Sequence, residues 1–282
     1  MTQSVFISGA SSGIGLATAQ LLDKQGWRVF AAALPTDDFS PLVNSTSDRL
    51  ITLPLDITNA DEISKAVEEI SALVGNDGLQ AIINNAGIQI VGALETLSVD
   101  ALRKQFEVNV FGHFQVIQAM LPLLRQSKGR IINISSLMGK VAMPILGAYS
   151  MSKHALEGMS DVLRLELAPF GIDVVVIEFG AINTPMTNSM KMLLNNQCNN
   201  LTSEEQANYQ GLYDGMAETL EAQAKSATSP EKVADVILDA LTREKPKPRY
   251  AISPAVKGLM MMRKFAPDEV GDSILKRALK LP

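Results

Sequence analysis

The sequence predicts an α/β fold in which a doubly wound, seven-stranded parallel sheet is flanked by helices. Short apolar runs alternate with stretches of helical periodicity along most of the chain. The runs are apolar almost throughout, as strands must be when helices cover both faces of a parallel sheet. The 282 residues are 46% hydrophobic and 20% charged, which is typical of a globular protein with a full core.

Each predicted element has a local signal in the sequence. The first strand leads into a helix whose apolar residues share one face and which ends at Gly26. Asn59, followed three residues later by Glu62, indicates the start of another helix, which ends at Gly75. Apolar runs predict strands at 4–8, 28–33, 50–55, 79–83, 129–135, 173–179 and 248–253.

One domain is predicted to span residues 1–282, because no linker or repeat divides the chain before residue 185. Residues 185–229 differ from the rest: they are polar, contain several methionines and carry no strand signal. An insertion of this length in a compact domain usually serves binding. We therefore expect 185–229 to be a substrate-binding or lid insertion within the domain.

Composition and charge argue against several classes of protein. The net charge is −5, with +6 on residues 241–282 and −11 on residues 1–240, so a nucleic-acid binder is not expected. The first residues resemble a strand rather than a secretion signal, and no apolar run reaches the ~20 residues that span a bilayer. The single Cys198 allows no intramolecular disulfide and gives no metal-ligand cluster. We expect a cytoplasmic protein without a bound metal.

The stretch SGASSGIG at 8–15 joins the first strand to the first helix and contains Gly9, Gly13 and Gly15. Glycines allow a sharp turn and a close approach of the backbone to a ligand. The free N–H groups and the dipole at a helix N-terminus attract phosphate. A strand-to-helix turn with this spacing therefore predicts a pyrophosphate site rather than a purely structural turn.

Tyr149 and Lys153 are four residues apart in AYSMSK, so they would share one face of a helix. A free phenol has a pKa near ~10 and is a poor base at neutral pH. A cation ~4 Å from a phenolate contributes roughly 4 kcal/mol of attraction at an effective dielectric constant of about 20. We therefore expect Lys153 to lower the pKa of Tyr149 and to make it a usable acid and base.

Five motifs covering residues 4–184 together resemble the short-chain dehydrogenase/reductase (SDR) family, whose single-domain members have a Rossmann-type fold. They are the glycine motif at 8–15, Asn84-Asn85-Ala86-Gly87 after the fourth strand, Asn109 in EVNVFG, Ser136 thirteen positions before Tyr149, and the pair of Tyr149 and Lys153. Two positions depart from the family pattern. Ser8 replaces the usual Thr, and EFG at 178–180 contains Phe179 where the family commonly has Pro.

The resemblance implies a role for each of these residues. Tyr149 would exchange a proton with an alcohol or ketone, Ser136 would hold the substrate oxygen, and Lys153 would bind the nicotinamide ribose. Asn109 would support a water that relays protons to Lys153. The implied catalytic residues are Asn109, Ser136, Tyr149 and Lys153, and the implied cofactor-binding residues are Gly9, Ser11, Ser12, Gly13, Ile14, Gly15, Asp56, Ile57, Asn85, Ala86, Gly87, Tyr149, Lys153, Gly180, Ile182 and Thr184. A turn or cap role is the alternative for Asp56.

The end of the second strand, AAALPTDDF, bears on the choice between NAD and NADP. Relatives that use NADP usually have an Arg here, and those that use NAD often have an Asp that binds the ribose 2′-hydroxyl. Leu34 is neither, but residues 29–48 contain no cation, and Asp37 and Asp38 would repel a phosphate. We therefore predict NAD as the cofactor, with NADP as the alternative.

An apolar substrate is indicated by the residues around the predicted site, although core packing explains single methionines equally well. They are Leu137, Met138, Val141, Met143, Ile145 and Leu146, followed by Met186, Met190 and Met192. Stretches such as LGAYSMSKHALEGMSDVLRLEL also resemble the retinol and hydroxysteroid branch of the family. We therefore expect an NAD(P)-dependent alcohol dehydrogenase or carbonyl reductase acting on a steroid-, retinoid- or lipid-like secondary alcohol or ketone.

Two other functions share part of this pattern. Sugar-nucleotide epimerases and dehydratases have the Tyr-Lys pair but are generally longer, with a larger C-terminal substrate domain. Non-catalytic, regulatory NAD(P)-binding relatives tend to lose the Tyr or the Lys, both of which are present here. The resemblance further implies a homodimer or homotetramer formed through helices near 100–125 and 149–168.

Three further features are assigned no chemistry. His113 and His154 have no ligand partner at a suitable spacing and are expected on helix faces. The tail VKGLMMMRKFAP at 256–267 mixes apolar and basic residues, as membrane-surface helices do. Packing over the pocket or against another subunit is the favoured interpretation of this tail, so peripheral membrane contact is not expected.

Overall fold

A computed structural model describes residues 2–44 and 46–278. Within these residues, seven parallel strands form one sheet in the order β3-β2-β1-β4-β5-β6-β7. The predicted seven-stranded, doubly wound fold is therefore confirmed. The strands are β1 (Ser4–Ser8), β2 (Arg28–Ala33), β3 (Leu50–Pro54), β4 (Ala81–Asn84), β5 (Arg130–Ile134), β6 (Asp173–Glu178) and β7 (Arg249–Ala251).

Helices cover both faces of the sheet and extend over its carboxyl edge. They are α1 (Gly13–Lys24), α2 (Ser40–Val43), α3 (Ala60–Val74), α4 (Val99–Phe106), α5 (His113–Ser127), α6 (Gly147–Leu167), α7 (Pro185–Asn188), α8 (Met190–Asn199), α9 (Ser203–Ala224), α10 (Pro230–Thr242), α11 (Pro254–Phe265) and α12 (Asp268–Ala278). The ends of the predicted domain, at residues 1 and 279–282, lie outside the described residues.

The alternation of side chains along the strands produces a separate core on each face of the sheet. Phe6 of β1 points into a core shared with α3, α5 and α6. Its neighbours Val5 and Ile7 point the other way, into a core shared with α1 and α10. This two-sided burial explains why the strands are apolar without interruption.

Strand β4 begins two residues later than the sequence predicts. The N–H of Leu79 donates to the carbonyl of Leu123 near the end of α5, 3.1 Å away, and not to a neighbouring strand. Gly78 precedes it with φ +66, and a Cβ there would lie 2.6 Å from the same carbonyl oxygen. The close contact with α5 therefore delays entry into the sheet.

Residues 185–229 contain no strand, as their sequence predicts, and they contribute to a third, smaller core that the sequence did not reveal. Helices α8 and α9 pack there on two loops of the main fold. Its buried residues are Val91, Ala93, Ile145, Leu146, Met190, Leu194, Cys198, Tyr213 and Met216. Among the helices of the described residues, none is long and apolar enough to cross a membrane.

Candidate active site

A cavity of about 1260 Å³ opens at the carboxyl edge of the sheet. The strand order reverses direction between β1 and β4, and ligands of doubly wound proteins bind in the crevice at this point. Single ligand pockets commonly measure ~300–1,000 Å³. The cavity is therefore large enough for a dinucleotide and a substrate together.

The glycine turn forms one wall of this cavity, and its geometry fits a dinucleotide. Gly9 and Gly13 have φ of +65 and +55, which L-residues rarely adopt. Gly9 and Gly13 line the cavity, whereas Gly15 lies behind them. A Cβ on Gly15 would be 2.2 Å from the carbonyl oxygen of Gly9, so only glycine allows α1 to begin this close to β1. Ser12, the N-cap of α1, makes no side-chain capping bond, and the first N–H groups of α1 remain available to phosphate.

A second turn, at residues 84–87, is fixed to the first by hydrogen bonds. The Ser8 hydroxyl accepts from the backbone N–H groups of Asn85 and Ala86, both at 3.1 Å. The side-chain amide of Asn85 donates to the carbonyls of Ser8 and Gly9 at 3.0 and 2.9 Å. Ser8 stands where the family usually has Thr. It links the two turns through its hydroxyl, a group that Thr also has.

Tyr149 and Lys153 lie one turn apart on α6, both are buried, and both line the cavity. The Lys153 Nζ donates to the carbonyl of Ile134 at the end of β5, 2.8 Å away. The same Nζ lies 5.6 Å from the centre of the Tyr149 ring. Ser136 precedes a short 3₁₀ turn, and its hydroxyl accepts from the N–H of Met138 at 3.2 Å. The predicted Ser, Tyr and Lys therefore meet at one place.

The expectation that Lys153 lowers the pKa of Tyr149 is wrong for this structure. Burial raises the pKa of Tyr149 to about 12, opposed by a hydrogen bond from Ser136. Burial also lowers the pKa of Lys153 to about 8, while the charge of Glu157 raises it. The ammonium is bound to a carbonyl and not to the phenol oxygen, so desolvation outweighs its attraction for a phenolate.

Asn109 does not line the cavity but supports its wall from behind. It lies in a π-helical segment, Glu107–Gly112, and is fully buried. Its amide accepts from the N–H of Ile88 at 2.9 Å and donates to the carbonyl of Ile88 at 3.0 Å. A further bond joins it to the Ser152 hydroxyl at 3.2 Å. Widened helical turns of this type are frequent at functional sites.

The other predicted cofactor-binding residues surround the same cavity. Those that line it are Ser11, Ser12, Ile14, Asp56, Ile57, Asn85, Ala86, Gly87, Gly180, Ile182 and Thr184. Asp56 also forms the turn that was its alternative role, because its Oδ1 accepts from the N–H and the hydroxyl of Thr58 at 2.9 and 2.8 Å. The two roles are compatible.

A contact that the sequence does not reveal joins the glycine turn to the loop after β2. The Ser11 hydroxyl donates to Asp37 Oδ2 at 2.7 Å. Asp37 and Leu34 both line the cavity. Asp37, rather than Asp38, therefore places its carboxylate at the cavity wall. The predicted acidity of the loop was a usable signal, but the choice between Asp37 and Asp38 required the structure.

The predicted apolar wall is largely present, with two corrections. Leu137, Met138, Val141, Met143, Leu146, Met186 and Met190 line the cavity. Ile145 does not: its φ of +64 turns it into the third core, where it is buried. Met192 is also outside the cavity, on the exposed face of α8. Helical periodicity explains the exposure of Met192, because two residues that are two positions apart on α8 cannot both face inward, and here Met190 does.

The two histidines differ from each other. His154 is on the outer side of α6, where its Nδ1 lies 2.8 Å from the carbonyl of Ser150. His113 is fully buried instead of lying on an open helix face, and burial lowers its pKa to about 3. His113 is therefore neutral and contributes no charge beside Lys153. The basic tail packs over the pocket, since Val256 and Leu259 of α11 line the cavity.

Comparisons with known proteins agree with this geometry. A family profile described as short chain dehydrogenase matches residues 3–193. The chain belongs to the short-chain dehydrogenase family. Among its relatives, human 17-beta-hydroxysteroid dehydrogenase type 6 is 35% identical over 99% of this chain and 89% of its own length. Mouse retinol dehydrogenase 16 is 36% identical over 96% of this chain and 87% of its own length.

A solved short-chain dehydrogenase from Streptomyces avermitilis is also similar, with a TM-score of 0.78 and 28% identity over 98% of this chain and 95% of that one. The predicted resemblance to the retinol and hydroxysteroid branch is confirmed by the two curated relatives. The short-chain dehydrogenase described here is therefore an NAD(P)-dependent oxidoreductase.

A group of carboxylates lies behind the active site of this short-chain dehydrogenase. Glu157 is one helical turn beyond Lys153, and Glu178 is in the otherwise apolar strand β6. Both are buried and neither lines the cavity. The spacing from Tyr149 to Lys153 to Glu157 and the single acid in VVVIEF were the signals that could have identified them.

Proposed function

We propose that this enzyme interconverts hydrophobic secondary alcohols and ketones, with NAD as the preferred cofactor and Tyr149 as the acid and base. The observation that carries the proposal is the shared cavity. The glycine turn, the Ser136, Tyr149 and Lys153 side chains and the apolar wall all line it. A steroid-, retinoid- or lipid-like substrate suits such a wall, and the curated relatives carry steroid and retinol names.

The residues divide the chemistry among them. A bound nicotinamide dinucleotide would supply or accept the hydride. Tyr149 would donate its proton to a ketone oxygen or, as the phenolate, take one from an alcohol, and Ser136 would hold that oxygen. Because burial raises the pKa of Tyr149 to about 12, the phenol holds its proton at neutral pH and is ready to donate it. Lys153 would stabilise the phenolate that remains and bind the ribose.

Asn109 has a supporting part in this proposal. Its amide holds the backbone of Ile88 on both the donor and the acceptor side. Gly87, which precedes Ile88, lines the cavity. Asn109 would therefore fix the turn at 84–88 under the nicotinamide ribose. In this way it would also support a water that relays protons to Lys153.

The preference for NAD rests on charge near the adenine ribose. Asp37 lies at the cavity wall and is held there by Ser11. A ribose 2′-hydroxyl can donate to a carboxylate, whereas a 2′-phosphate would be repelled by it. We expect isothermal titration calorimetry to give an NADP Kd at least tenfold above that of NAD. Asp37→Asn should narrow that ratio, and NADP bound as tightly as NAD by the wild type would contradict the preference.

Residues 185–229 are proposed to act as the cover of the substrate end of the cavity. Met186 and Met190 from this segment line the cavity, and so do Leu220 and Gln223 of α9. The segment is joined to the main fold by its own core and by a hydrogen bond from the N–H of Ala93 to the Tyr213 hydroxyl at 3.4 Å. A single domain over 1–282 is proposed with this cover as a part of it.

Assembly into a homodimer or homotetramer is proposed through the outer faces of α4, α5 and α6. Met151, Val162 and Leu165 form an exposed apolar stripe on α6, with Leu165 71% exposed. Phe111 and Phe114 are exposed near the start of α5. Leu165→Asp should lower the molecular mass measured by light scattering to that of a smaller species. An unchanged mass would exclude this face. A cytoplasmic location remains a prediction.

Turnover of Tyr149→Phe tests the central proposal. The variant retains the buried ring but lacks the hydroxyl, and we expect kcat to fall by about 10²–10⁴-fold. The Kd for NAD should change little. Tyr250→Phe is the matched control, because this tyrosine lies on β7, outside the residues that line the cavity. Turnover by Tyr149→Phe at the wild-type rate would refute the mechanism. A panel of steroids, retinoids and lipid ketones, assayed with NAD and with NADP, identifies the substrate class.

A further inference from the structure

Two carboxylates are buried together behind the active site. Glu157 of α6 is 3% exposed and Glu178 of β6 is 1% exposed. Carboxylates are almost never buried without a partner, because removing their charge from water is costly. The site chemistry described above uses neither of them, so their burial requires another explanation.

The cations around the pair reach mainly one oxygen. Lys140 Nζ lies 2.8 Å from Glu157 Oε2, and Arg249 donates to the same oxygen at 3.0 and 3.1 Å. Arg249 Nε is 3.5 Å from Glu178 Oε1, and Arg249 also donates to Asp161 at 2.8 Å. Glu157 Oε2 is therefore well compensated by charge, whereas Glu178 has, among the described residues, one ion pair at 3.5 Å and the more distant charge of Lys140.

The remaining oxygens lack donors. Oε1 of Glu157 and Oε1 of Glu178 are buried and receive no hydrogen bond from any group that the structure describes. Both carboxylates pair with the guanidinium of Arg249, which brings them together, and Glu157 contributes to the raised pKa of Glu178. A single proton between them would satisfy both carboxyl groups. Burial raises the pKa of Glu178 to about 7, and the charge of Glu157 adds to this, so Glu178 is the member that holds the proton.

The pair is connected to the catalytic residues through α6 and the turn after Ser136. Tyr149, Lys153 and Glu157 follow one another at intervals of four residues on one buried face of α6. The turn Leu137–Gly139 packs against this face. A Cβ on Gly139 would lie 2.9 Å from Glu157 Cγ and 3.2 Å from the Lys153 carbonyl oxygen. The absence of a side chain at Gly139 therefore lets Glu157 lie directly under the turn.

We propose that Glu157, sharing a proton with Glu178, is a positioning residue that keeps Lys153 charged and holds the Ser136 turn against α6. This inference rests on the roles proposed for Tyr149 and Lys153. Burial lowers the pKa of Lys153, and the charge of Glu157 is the opposing influence. The other charged or titratable groups that face the pair or Lys153 are Lys140, Arg249, Asp161 and His113, and His113 is neutral.

The first test is the pH dependence of ketone reduction by Glu157→Gln. Reduction leaves a phenolate on Tyr149, and a charged Lys153 stabilises it. Without the charge of Glu157, Lys153 should lose its proton at lower pH, so the alkaline limb of kcat/KM should move down by about one pH unit. A limb that stays in its wild-type position overturns the proposal.

Two variants separate this effect from a loss of packing. Glu178→Gln keeps the carboxylate of Glu157, which is the charge that raises the pKa of Lys153, so the alkaline limb should remain where the wild type has it. Lys140→Gln removes an outer partner of Glu157 and should not move the limb downward. If all three variants shift the limb equally, the pair serves only as a structural anchor and the proposal is wrong.

The second test needs no turnover. Because the pKa of Glu178 is raised from 4.5 to about 7 in the folded state, the folded protein binds more protons than the unfolded protein between these pH values. Stability from this group is present below pH 4.5 and is lost as pH rises through 7. The wild-type Tm should therefore fall relative to that of Glu178→Gln between pH 5 and 7.5. Parallel Tm curves overturn the shared proton, whether or not Tyr149→Phe supports the proposed function.

Discussion

The two ends of the cavity are built in different ways. At the cofactor end, backbone packs closely on backbone and on one hydrogen-bonded side chain: a Cβ on Gly15 would be 2.2 Å from the Gly9 carbonyl oxygen and 2.6 Å from the side-chain Nδ2 of Asn85. At the substrate end, the walls are mainly methionine and leucine side chains, from the segment before α6 and from helices of the cover. Thioether and aliphatic chains adapt to irregular shapes, whereas a backbone cannot. In the proposed function, the cofactor end would therefore hold its ligand rigidly and the substrate end would adapt to the shape of its ligand.

The largest expected effect is at the cofactor end. In Gly15→Ala the new methyl group has no space, and neither the Gly9 backbone nor Asn85 can move without opening the glycine turn. We expect at least a hundredfold weaker NAD binding by calorimetry and a loss of roughly 1–3 kcal/mol of stability from overpacking.

Gly211→Ala is the matched control for this change. Gly211 lies within α9 of the cover, and a Cβ there would meet nothing within 4 Å. Alanine is favoured over glycine in helices, so this variant should gain about 0.5–1 kcal/mol and bind NAD normally. If Gly15→Ala behaves like Gly211→Ala, the cofactor end is not rigid.

Met216→Ala should separate the two ends. Met216 is fully buried in the third core, and its truncation should cost about 2–5 kcal/mol in the unfolding of the region that contains it. Since α9 helps to form the substrate wall, KM for the ketone should rise while the Kd for NAD stays within twofold. Met120→Ala, in the core shared by the sheet and α5, is the control. It should lower the Tm without raising the KM for the ketone relative to the Kd for NAD. If Met216→Ala instead weakens NAD binding and leaves the KM for the ketone unchanged, the two ends of the cavity are not built separately.

An intermediate effect is expected at Ile145, in the loop between the two ends. A β-branched residue with φ +64 is strained, and such strain costs about 1–3 kcal/mol. Glycine relieves it, so Ile145→Gly should be more stable than Ile145→Ala by about 1 kcal/mol. At Ile177, which β6 pairs with a strand on each side, the usual order is expected, with the Ala variant more stable than the Gly variant. Urea denaturation of the four variants measures both differences.

The same division explains how much the sequence predicts. The strands and their parallel sheet follow from apolar runs, and the shared face of Tyr149 and Lys153 follows from their spacing, whereas the place of Ser136 beside them was implied by the family resemblance. The sequence shows that residues 185–229 differ from the rest of the chain, but it does not show which methionine of this segment faces the cavity. Met190 and Met192 are equivalent in sequence, and only the packing of α8 distinguishes them.

Electrostatics was the least predictable part. The spacing of Tyr149 and Lys153 correctly places them on one face, but it does not reveal that the ammonium binds the Ile134 carbonyl or that burial raises the pKa of the phenol. Glu157 and Glu178 are 21 residues apart in the chain and meet only because α6 packs on β6. A pKa depends on burial and on partners from distant elements, which no local pattern contains.

The smallest expected effect compares the N-termini of two helices, one from each end. At α9, Thr202 and Glu205 form a complete capping box, so Thr202→Ala should cost about 1 kcal/mol in stability. At α1, the side chain of Ser12 caps nothing, and Ser12→Ala should leave the Tm almost unchanged while weakening NAD binding by a few fold. Thermal denaturation with and without NAD measures both. An equal loss of Tm in the two unliganded variants would mean that α1 is capped like any structural helix, and that its open N-terminus is not reserved for phosphate.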